Sequence, residues 1–235
     1  MKTNEFLAKL RLLKKPVFEM SDISRILRKE EKYVRVFIKR IEKKGLLKRI
    51  ERGKYIFEDE NPFLVASNLI FPSYISFISA LNYYGLTTQI SKTIFIVSLK
   101  QKKEIKLNDY NIKFIKFNKK RFFGFKKEKI NEKFLFIGEI EKIIADSLFL
   151  PKYCPLSEIF FALRNSEFST QKLVFYSSKM SKAALKRLGY LMELANKDTE
   201  AIKNINLKYD LLNPFLEPKG EKNKKWRLII NEVLY

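Results

Sequence analysis

Three carboxylates lie close together in the segment GEIEKIIADSLF: Glu139, Glu141 and Asp146. Clustered carboxylates can bind divalent metal ions and support phosphoryl transfer or phosphodiester cleavage. The spacing does not favour such a site, because on a helix Glu139 and Asp146 share a face while Glu141 points elsewhere. Carboxylates early in a helix instead offset the partial positive charge at its N-terminus. We therefore expect these three residues to be structural.

The tripeptide EIK, from Glu104 to Lys106, matches half of a nuclease motif in which Glu-x-Lys follows an upstream acidic residue. No convincing upstream acid accompanies it. The chain also has no histidine and a single cysteine, Cys154. Histidine-dependent triads and zinc sites are therefore excluded within this sequence. We expect no catalytic residues, no metal and no cofactor, and we keep a metal-dependent nucleic-acid enzyme as an alternative.

The charge of the chain indicates a polyanionic partner. Its 235 residues include 48 Lys and Arg against 26 Asp and Glu, a net charge of +22. Residues 1–57 hold 18 basic and 7 acidic side chains, and residues 100–133 hold 13 and 4. Compositional bias of the source would spread lysine evenly, so two clusters favour two basic surfaces. Without an apolar run of about 18 residues or a signal peptide, we expect a cytoplasmic protein with no membrane partner.

The helix predicted in EEKYVRVFIKRIEKKG has two distinct faces. Val34, Phe37, Ile38 and Ile41 recur at the spacing of one buried stripe, and Gly45 is the predicted C-terminal stop. The opposite face combines positive charge with one apolar side chain, which suits phosphates, base edges and a thymine methyl group of double-stranded DNA. The residues predicted on this face are Lys32, Arg35, Val36, Lys39, Arg40 and Lys43.

Two shorter helices precede this helix, the second with Ser21 as its predicted N-cap, and the hairpin KRIERGKYIF follows it. Three helices followed by a two-stranded hairpin are typical of a winged helix-turn-helix, which we expect over residues 1–58. The predicted wing contacts are Arg49, Arg52 and Lys54, with Arg52 at the tip. A winged helix that binds protein is the alternative, and the acidic Glu30 and Glu31 oppose DNA binding.

The rest of the chain, residues 59–235, is predicted to be a mixed α/β domain with a helical C-terminal part, joined through the linker EDENP. KTIFIVSL, NIKFIKF and KFLFIG have the patterns of strands. LSEIFFALRNS, STQKLVFYSSK and SKAALKRLGYLMELAN have those of three consecutive helices. The predicted fold class of the whole chain is α+β.

The segment KFNKKRFFGFKKEK alternates aromatic and basic residues within this second domain. Two interpretations remain open: a loop that binds phosphate, or a solvated loop anchored to the core by Phe122, Phe123 and Phe125. The basic residues of this candidate second surface are Lys119, Lys120, Arg121, Lys126 and Lys127.

Five stretches resemble, in order and approximate spacing, segments of the AbiEi family, the antitoxins of type IV toxin–antitoxin systems: RGKYIF, SYISFISALNYYGLTTQ, RFFGF, GEIEKIIADSLF and KRLGYLMELA. The resemblance covers roughly residues 6–196, and residues 197–235 lie outside it.

The resemblance implies a repressor that binds inverted repeats in its own operon, with two copies on the DNA. It also implies a C-terminal domain that counters a nucleotidyltransferase-like toxin without forming a stable complex. Arg35, Lys39 and Arg52 correspond by role to DNA contacts of the winged helix, and Glu141, Lys142 and Asp146 match a recurrent pattern of unknown purpose. A sequence-independent nucleic-acid-binding protein is a further alternative.

Overall fold

The chain is a mixed α+β protein, and the computed structural model describes residues 1–203 and 205–234. The elements in these ranges, in chain order, are α1 (Thr3–Leu12), β1 (Phe18–Glu19), α2 (Met20–Leu27), α3 (Glu31–Lys43), β2 (Leu47–Glu51), β3 (Lys54–Phe57), α4 (Pro62–Asn68), β4 (Ser73–Ile75), α5 (Phe77–Tyr83), β5 (Thr93–Ser98), β6 (Ile105–Leu107), β7 (Tyr110–Lys116), β8 (Phe125–Ile130), β9 (Lys133–Gly138), α6 (Ile140–Phe149), α7 (Leu156–Asn165), α8 (Thr170–Met180), α9 (Lys182–Leu194), β10 (Asp210–Leu211), β11 (Glu221–Asn223) and β12 (Leu228–Ile230). No helix in the described ranges is long and apolar enough to cross a lipid bilayer.

Residues 1–58, called here the N-terminal unit, contain α1 to α3 and a sheet of strand order β1-β3-β2. The predicted stripe on α3 is confirmed, since Val34, Phe37, Ile38 and Ile41 are all buried. They pack in one hydrophobic cluster with residues of α1, α2 and the hairpin, so the helices and the hairpin share a core. The predicted N-cap at Ser21 was wrong, because the N-cap is Glu19, two residues earlier, with a capping box between Glu19 and Asp22.

Two glycines of the N-terminal unit occupy the left-handed region that disfavours other residues. Gly45 follows the end of α3 with φ of +66°, as predicted for a helix stop. Gly53 has φ of +77° in the turn between β2 and β3. A side chain at Gly53 would strain this turn, which carries Arg52 at its tip.

The larger unit, described over residues 59–203 and 205–234, is built on a six-stranded sheet of order β6-β7-β5-β4-β9-β8. Strand β5 is parallel to β7 and antiparallel to β4, while β4 is parallel to β9. The hairpins β6–β7 and β8–β9 form the two edges. The three strands expected from the sequence are β5, β7 and β9, and the prediction is confirmed for each.

Helices cover this sheet and continue into a helical C-terminal part. Helix α4 packs on β9 and β4, and α5 packs on β5. Helix α6 follows β9 directly and packs against α5, α7, α8 and α9. Helices α7, α8 and α9 are the three consecutive helices that the sequence predicts. The buried residues of the sheet and helices form one large hydrophobic cluster.

Residues beyond α9 form a small sheet of order β10-β12-β11 that packs against α9. Trp226 is buried there and lies against Gly189 of α9. Lys186 pairs with Asp210 at 2.7 Å, and Arg187 donates to the carbonyl of Leu211. The described residues beyond α9, which lie outside the resemblance noted in the sequence, thus contribute to the folded core.

The two units are joined by more than the expected linker. Val17 and Ile56 of the N-terminal unit belong to the hydrophobic cluster of the larger unit. Glu60, which the sequence placed in a polar linker, is buried and pairs with Lys133 of β9. Lys14 also pairs with Glu132 across the units at 2.5 Å. The linker prediction was wrong in this respect, because the connecting residues are held by the larger unit.

Candidate nucleic-acid interface

The outward face of α3 presents a continuous row of solvent-exposed side chains. Val36 in the middle of this face is 48% exposed, although it is an apolar residue in a helix with a buried stripe. The six residues that the sequence assigned to this face are all exposed: Lys32, Arg35, Val36, Lys39, Arg40 and Lys43. The arrangement offers five cations and one apolar contact to a partner.

Arg35 is the one member of this row that forms an ion pair with another described residue. Its Nη2 lies 2.6 Å from Oε1 of Glu31, one helical turn earlier, and both side chains are well exposed. Exposed pairs of this kind contribute only about 0.3–0.5 kcal/mol, so a phosphate can replace the carboxylate at small cost. Glu31 therefore partly neutralises the charge of Arg35 but leaves its guanidinium group accessible to a phosphate.

Tyr33 is a surface residue that the sequence reasoning missed. It is 47% exposed, and its ring stacks on Phe37 with centroids 6.1 Å apart. Tyr33, Val36 and Phe37 line a shallow depression on α3. The signal was present in the sequence, because an aromatic residue three positions before Val36 lies beside it on the helix surface.

The hairpin brings one of its three predicted DNA contacts to an open tip. Arg52 is exposed beside Gly53, and Arg49 is exposed with its Nε 3.3 Å from the carbonyl of Glu51. Lys54 has a different position from the one expected. Its Nζ donates to the carbonyl of Leu69 at 2.5 Å and pairs with Glu51 at 2.9 Å, so it links the two units. Its ammonium group is already occupied within the protein.

The candidate second surface does not form a single loop. Residues from Phe125 onward belong to the edge strand β8, so the loop interpretation was wrong for Lys126 and Lys127. The preceding residues Lys119–Arg121 form one turn of 3-10 helix. Phe122 and Phe125 pack on Tyr74, and Phe123 packs on Tyr176, which confirms that the aromatic residues anchor the segment.

The five basic residues of that segment have different environments. Arg121 donates from Nε to the carbonyl of Met180 at 2.8 Å and lies over Phe149. Lys126 pairs with Glu128 at 2.8 Å, and Lys127 lies over the ring of Phe134 at 3.4 Å. The side chains of Lys119 and Lys120 are exposed and form no hydrogen bond or ion pair with the described residues.

The candidate catalytic carboxylates are engaged in structural contacts. Glu139 accepts a hydrogen bond from Tyr176 at 2.7 Å and pairs with Lys172. Glu141 accepts one from the backbone N–H of Ser169 at the start of α8.

Asp146 is completely buried and pairs with Lys142. Within residues 1–203 and 205–234, no cluster of three or more Asp, Glu or Cys side chains could hold a metal ion. Cys154 is also buried, and burial raises the pKa of its thiol to about 12, so it is protonated at neutral pH.

Comparison of the sequence with models of protein families and with curated proteins finds no significant match.

Proposed function

We propose that the chain is a sequence-specific transcriptional repressor that binds double-stranded DNA through a winged helix-turn-helix formed by residues 1–58. The observation that carries this proposal is the exposed row of five cations and Val36 on α3, next in sequence to a hairpin with Arg52 at its tip. In winged-helix proteins the third helix enters the major groove, and the wing contacts the backbone or minor groove. Helix α3 fits this role, because one face is buried and the opposite face carries basic side chains around the apolar Val36.

Charge favours DNA over a protein partner for the same surface. Within residues 1–203 and 205–234, Glu31 is the only acidic side chain that forms an ion pair with a member of this row. The remaining cations Lys32, Lys39, Arg40 and Lys43 make no ion pair with the described residues. Surfaces that recognise protein are depleted in lysine, whereas phosphate-binding surfaces require it.

We also propose that residues 59–235 form the antitoxin part, which counters a nucleotidyltransferase-like toxin while the chain represses its own operon. The ordered resemblance to the AbiEi family supports this proposal. It is consistent with a non-enzymatic role that Glu139, Glu141 and Asp146 are each held by neighbouring side chains or backbone. A nucleotidyltransferase-like gene next to this one, and rescue of cells from its product by this chain, would test the assignment.

The DNA-binding proposal is tested with the duplex upstream of the gene, by fluorescence anisotropy across a range of salt concentrations. Lys39→Ala should weaken binding by about 1–3 kcal/mol and relax the preference at particular base pairs. Arg52→Ala should weaken binding to all sequences alike. Lys224→Ala is the matched control, because this exposed lysine lies just beyond β11 and has no ion-pair partner among the described residues.

Equal affinities for the parent and the Lys39→Ala and Arg52→Ala variants would contradict the assignment. Affinity that depends on salt but not on sequence would favour a non-specific nucleic-acid-binding protein. Cleavage of the duplex that requires a divalent metal would favour the enzyme alternative.

The proposal also implies two copies on an inverted repeat, since each copy reads one half-site. Half-sites must then be separated by whole helical turns, so that both copies lie on the same face of the duplex. Insertion of about five base pairs between the half-sites should abolish cooperative binding, while an insertion of about ten should restore it. Binding that is indifferent to both insertions would indicate independent monomers.

A further inference from the structure

The carboxylate of Glu51 is held by two ammonium groups, one from each unit of the protein. Glu51 ends β2 and directly precedes Arg52 at the tip of the hairpin. Its Oε1 lies 2.9 Å from Nζ of Lys54, and its Oε2 lies 2.5 Å from Nζ of Lys102. Lys102 comes from the connection between β5 and β6 in the larger unit. The three side chains are only 20–24% exposed.

Further contacts hold both of the lysines that pair with Glu51. Lys54 also donates to the carbonyl of Leu69 at 2.5 Å, and Lys102 lies over the ring of Phe114. A separate bond joins Nζ of Lys48 on β2 to Oδ1 of Asn108 at 2.7 Å. The strand that leads to the hairpin tip is therefore attached to the larger unit at several points.

The charge at this place matters because Glu51 is one residue from a predicted phosphate contact. A carboxylate near DNA repels the backbone, and an unheld Glu51 could also pair with Arg52 and withdraw it. Burial raises the pKa of Glu51, but the ammonium groups of Lys102 and Lys54 more than offset this and lower it below its ordinary value. Glu51 is thus charged at neutral pH, and the orientation of its carboxylate is set by Lys54 and Lys102.

We propose that Lys102 is a positioning residue for DNA binding, which holds Glu51 away from the duplex and so sets the orientation of Arg52. This inference rests on the proposed DNA-binding function. Lys102 itself contacts protein rather than DNA, so the affinity of the N-terminal unit for DNA depends on a residue of the larger unit. Any change that moves the β5–β6 connection would also change the hairpin tip.

Lys103 provides a matched control, because it is the next residue, is exposed, and forms no hydrogen bond or ion pair with the described residues. Lys102→Met and Lys103→Met each remove one positive charge from the same connection. In the first test, both variants are titrated with the operator duplex, alone and in combination with Glu51→Gln. If the two lysines act only through net charge, Glu51→Gln should improve affinity by the same factor in both backgrounds.

We expect Lys102→Met to weaken operator binding roughly fivefold, and Glu51→Gln to restore most of that loss. Glu51→Gln should give a clearly smaller improvement in the Lys103→Met background, where Lys102 still holds the carboxylate. Lys102→Arg should retain the parent affinity, because it keeps the charge and the hydrogen bond. Equal responses of the two backgrounds to Glu51→Gln would overturn the inference.

A second test needs no DNA and separates this inference from the proposed function. Trypsin cleavage after Arg52 reports how firmly the hairpin tip is held, and each variant lacks one lysine site. Lys102→Met should speed cleavage after Arg52 severalfold, and Lys103→Met should leave it unchanged. Equal cleavage in the two variants would refute the positioning role even if the parent binds DNA. Faster cleavage of the Lys102→Met variant, together with no binding of the duplex by the parent, would support the contact and refute the DNA-binding function.

Discussion

The ammonium group of Lys142 and the carboxylate of Asp146 form an ion pair one turn apart on α6, with both side chains fully buried. Asp146 Oδ2 also accepts hydrogen bonds from Tyr74 at 3.0 Å and Ser76 at 2.7 Å. Lys142 is enclosed by aromatic rings, the nearest being Phe123 at 4.7 Å. The network ties α6 to β4 and to the segment before β8, which gives the residues a structural purpose.

Removing one partner of this pair should destabilise the protein severely. Burial lowers the pKa of Lys142 and raises that of Asp146, and each charge is tolerated there because of the other. Lys142→Met or Asp146→Asn should therefore cost about 3–5 kcal/mol in the free energy of unfolding, measured by urea denaturation. The double substitution Lys142→Met/Asp146→Asn should cost less than the sum of the two single substitutions. Unchanged stability in either single variant would contradict a structural role.

Elements with a local sequence signal were predicted well. The spacing of Val34, Phe37, Ile38 and Ile41 defined α3, and Gly45 marked its end. The runs that became β5, β7 and β9, and the three helices after Pro155, also carry their own periodicity. The exposed face of α3 followed from the same periodicity, because a helix with one buried stripe must expose the opposite side.

Features that depend on distant contacts were not predictable from the sequence. Lys54 was expected at the DNA surface because it lies close to Arg52 in the hairpin, but its ammonium group contacts Glu51 and the carbonyl of Leu69, which is remote in sequence. Strand β8 was missed because its residues, FKKEKI, lack regular alternation and are ordered by pairing with β9. The small C-terminal sheet likewise depends on Trp226 meeting Gly189.

The contact between Trp226 and Gly189 should be a major source of stability for the C-terminal part. A Cβ on Gly189 would come within 2.1 Å of the indole ring, so the helix approaches the ring more closely than any other residue would allow. Trp226→Ala should cost about 3–5 kcal/mol in unfolding free energy, and Gly189→Ala should also destabilise through overpacking. Phe215→Ala is the control, because Phe215 is 55% exposed, and it should change stability by less than about 0.5 kcal/mol.

Acid should weaken the contact between the two units through Glu132. The ammonium groups of Lys129 and Lys14 lower the pKa of Glu132 from 4.5 to about 2, and Lys14 belongs to the N-terminal unit. Because the folded-state pKa is depressed, this contribution to stability is present above about pH 4.5 and is lost as the pH falls towards 2. Glu132→Gln should therefore show a smaller decline in melting temperature over that range than the parent.

Glu104→Gln serves as the control for this acid dependence, since Glu104 is exposed and has no ion-pair partner among the described residues. Its melting temperature should follow that of the parent at every pH. A Glu132→Gln variant with the parent's full decline would show that other carboxylates account for the loss.

The second basic surface should act apart from DNA, because it packs on the helical part of the larger unit. Lys119 and Lys120 form one turn of 3-10 helix with Arg121, which donates to the carbonyl of Met180 at the end of α8. The hairpin instead meets the larger unit at Asn108 and Lys102. We expect Lys119→Gln/Lys120→Gln to leave operator affinity and its salt dependence unchanged while reducing rescue of cells from the toxin.

Lys126→Gln/Lys127→Gln is the matched pair for this last experiment, because it removes the same charge from lysines that already contact Glu128 and Phe134. It should reduce rescue less than the first pair. A drop in the salt slope of operator binding by about 0.9 per lysine in the Lys119→Gln/Lys120→Gln variant would instead assign these residues to the DNA surface. Parental behaviour in both assays would leave the segment with the anchoring role of Phe122, Phe123 and Phe125, whose rings pack on Tyr74 and Tyr176 regardless of the neighbouring charges.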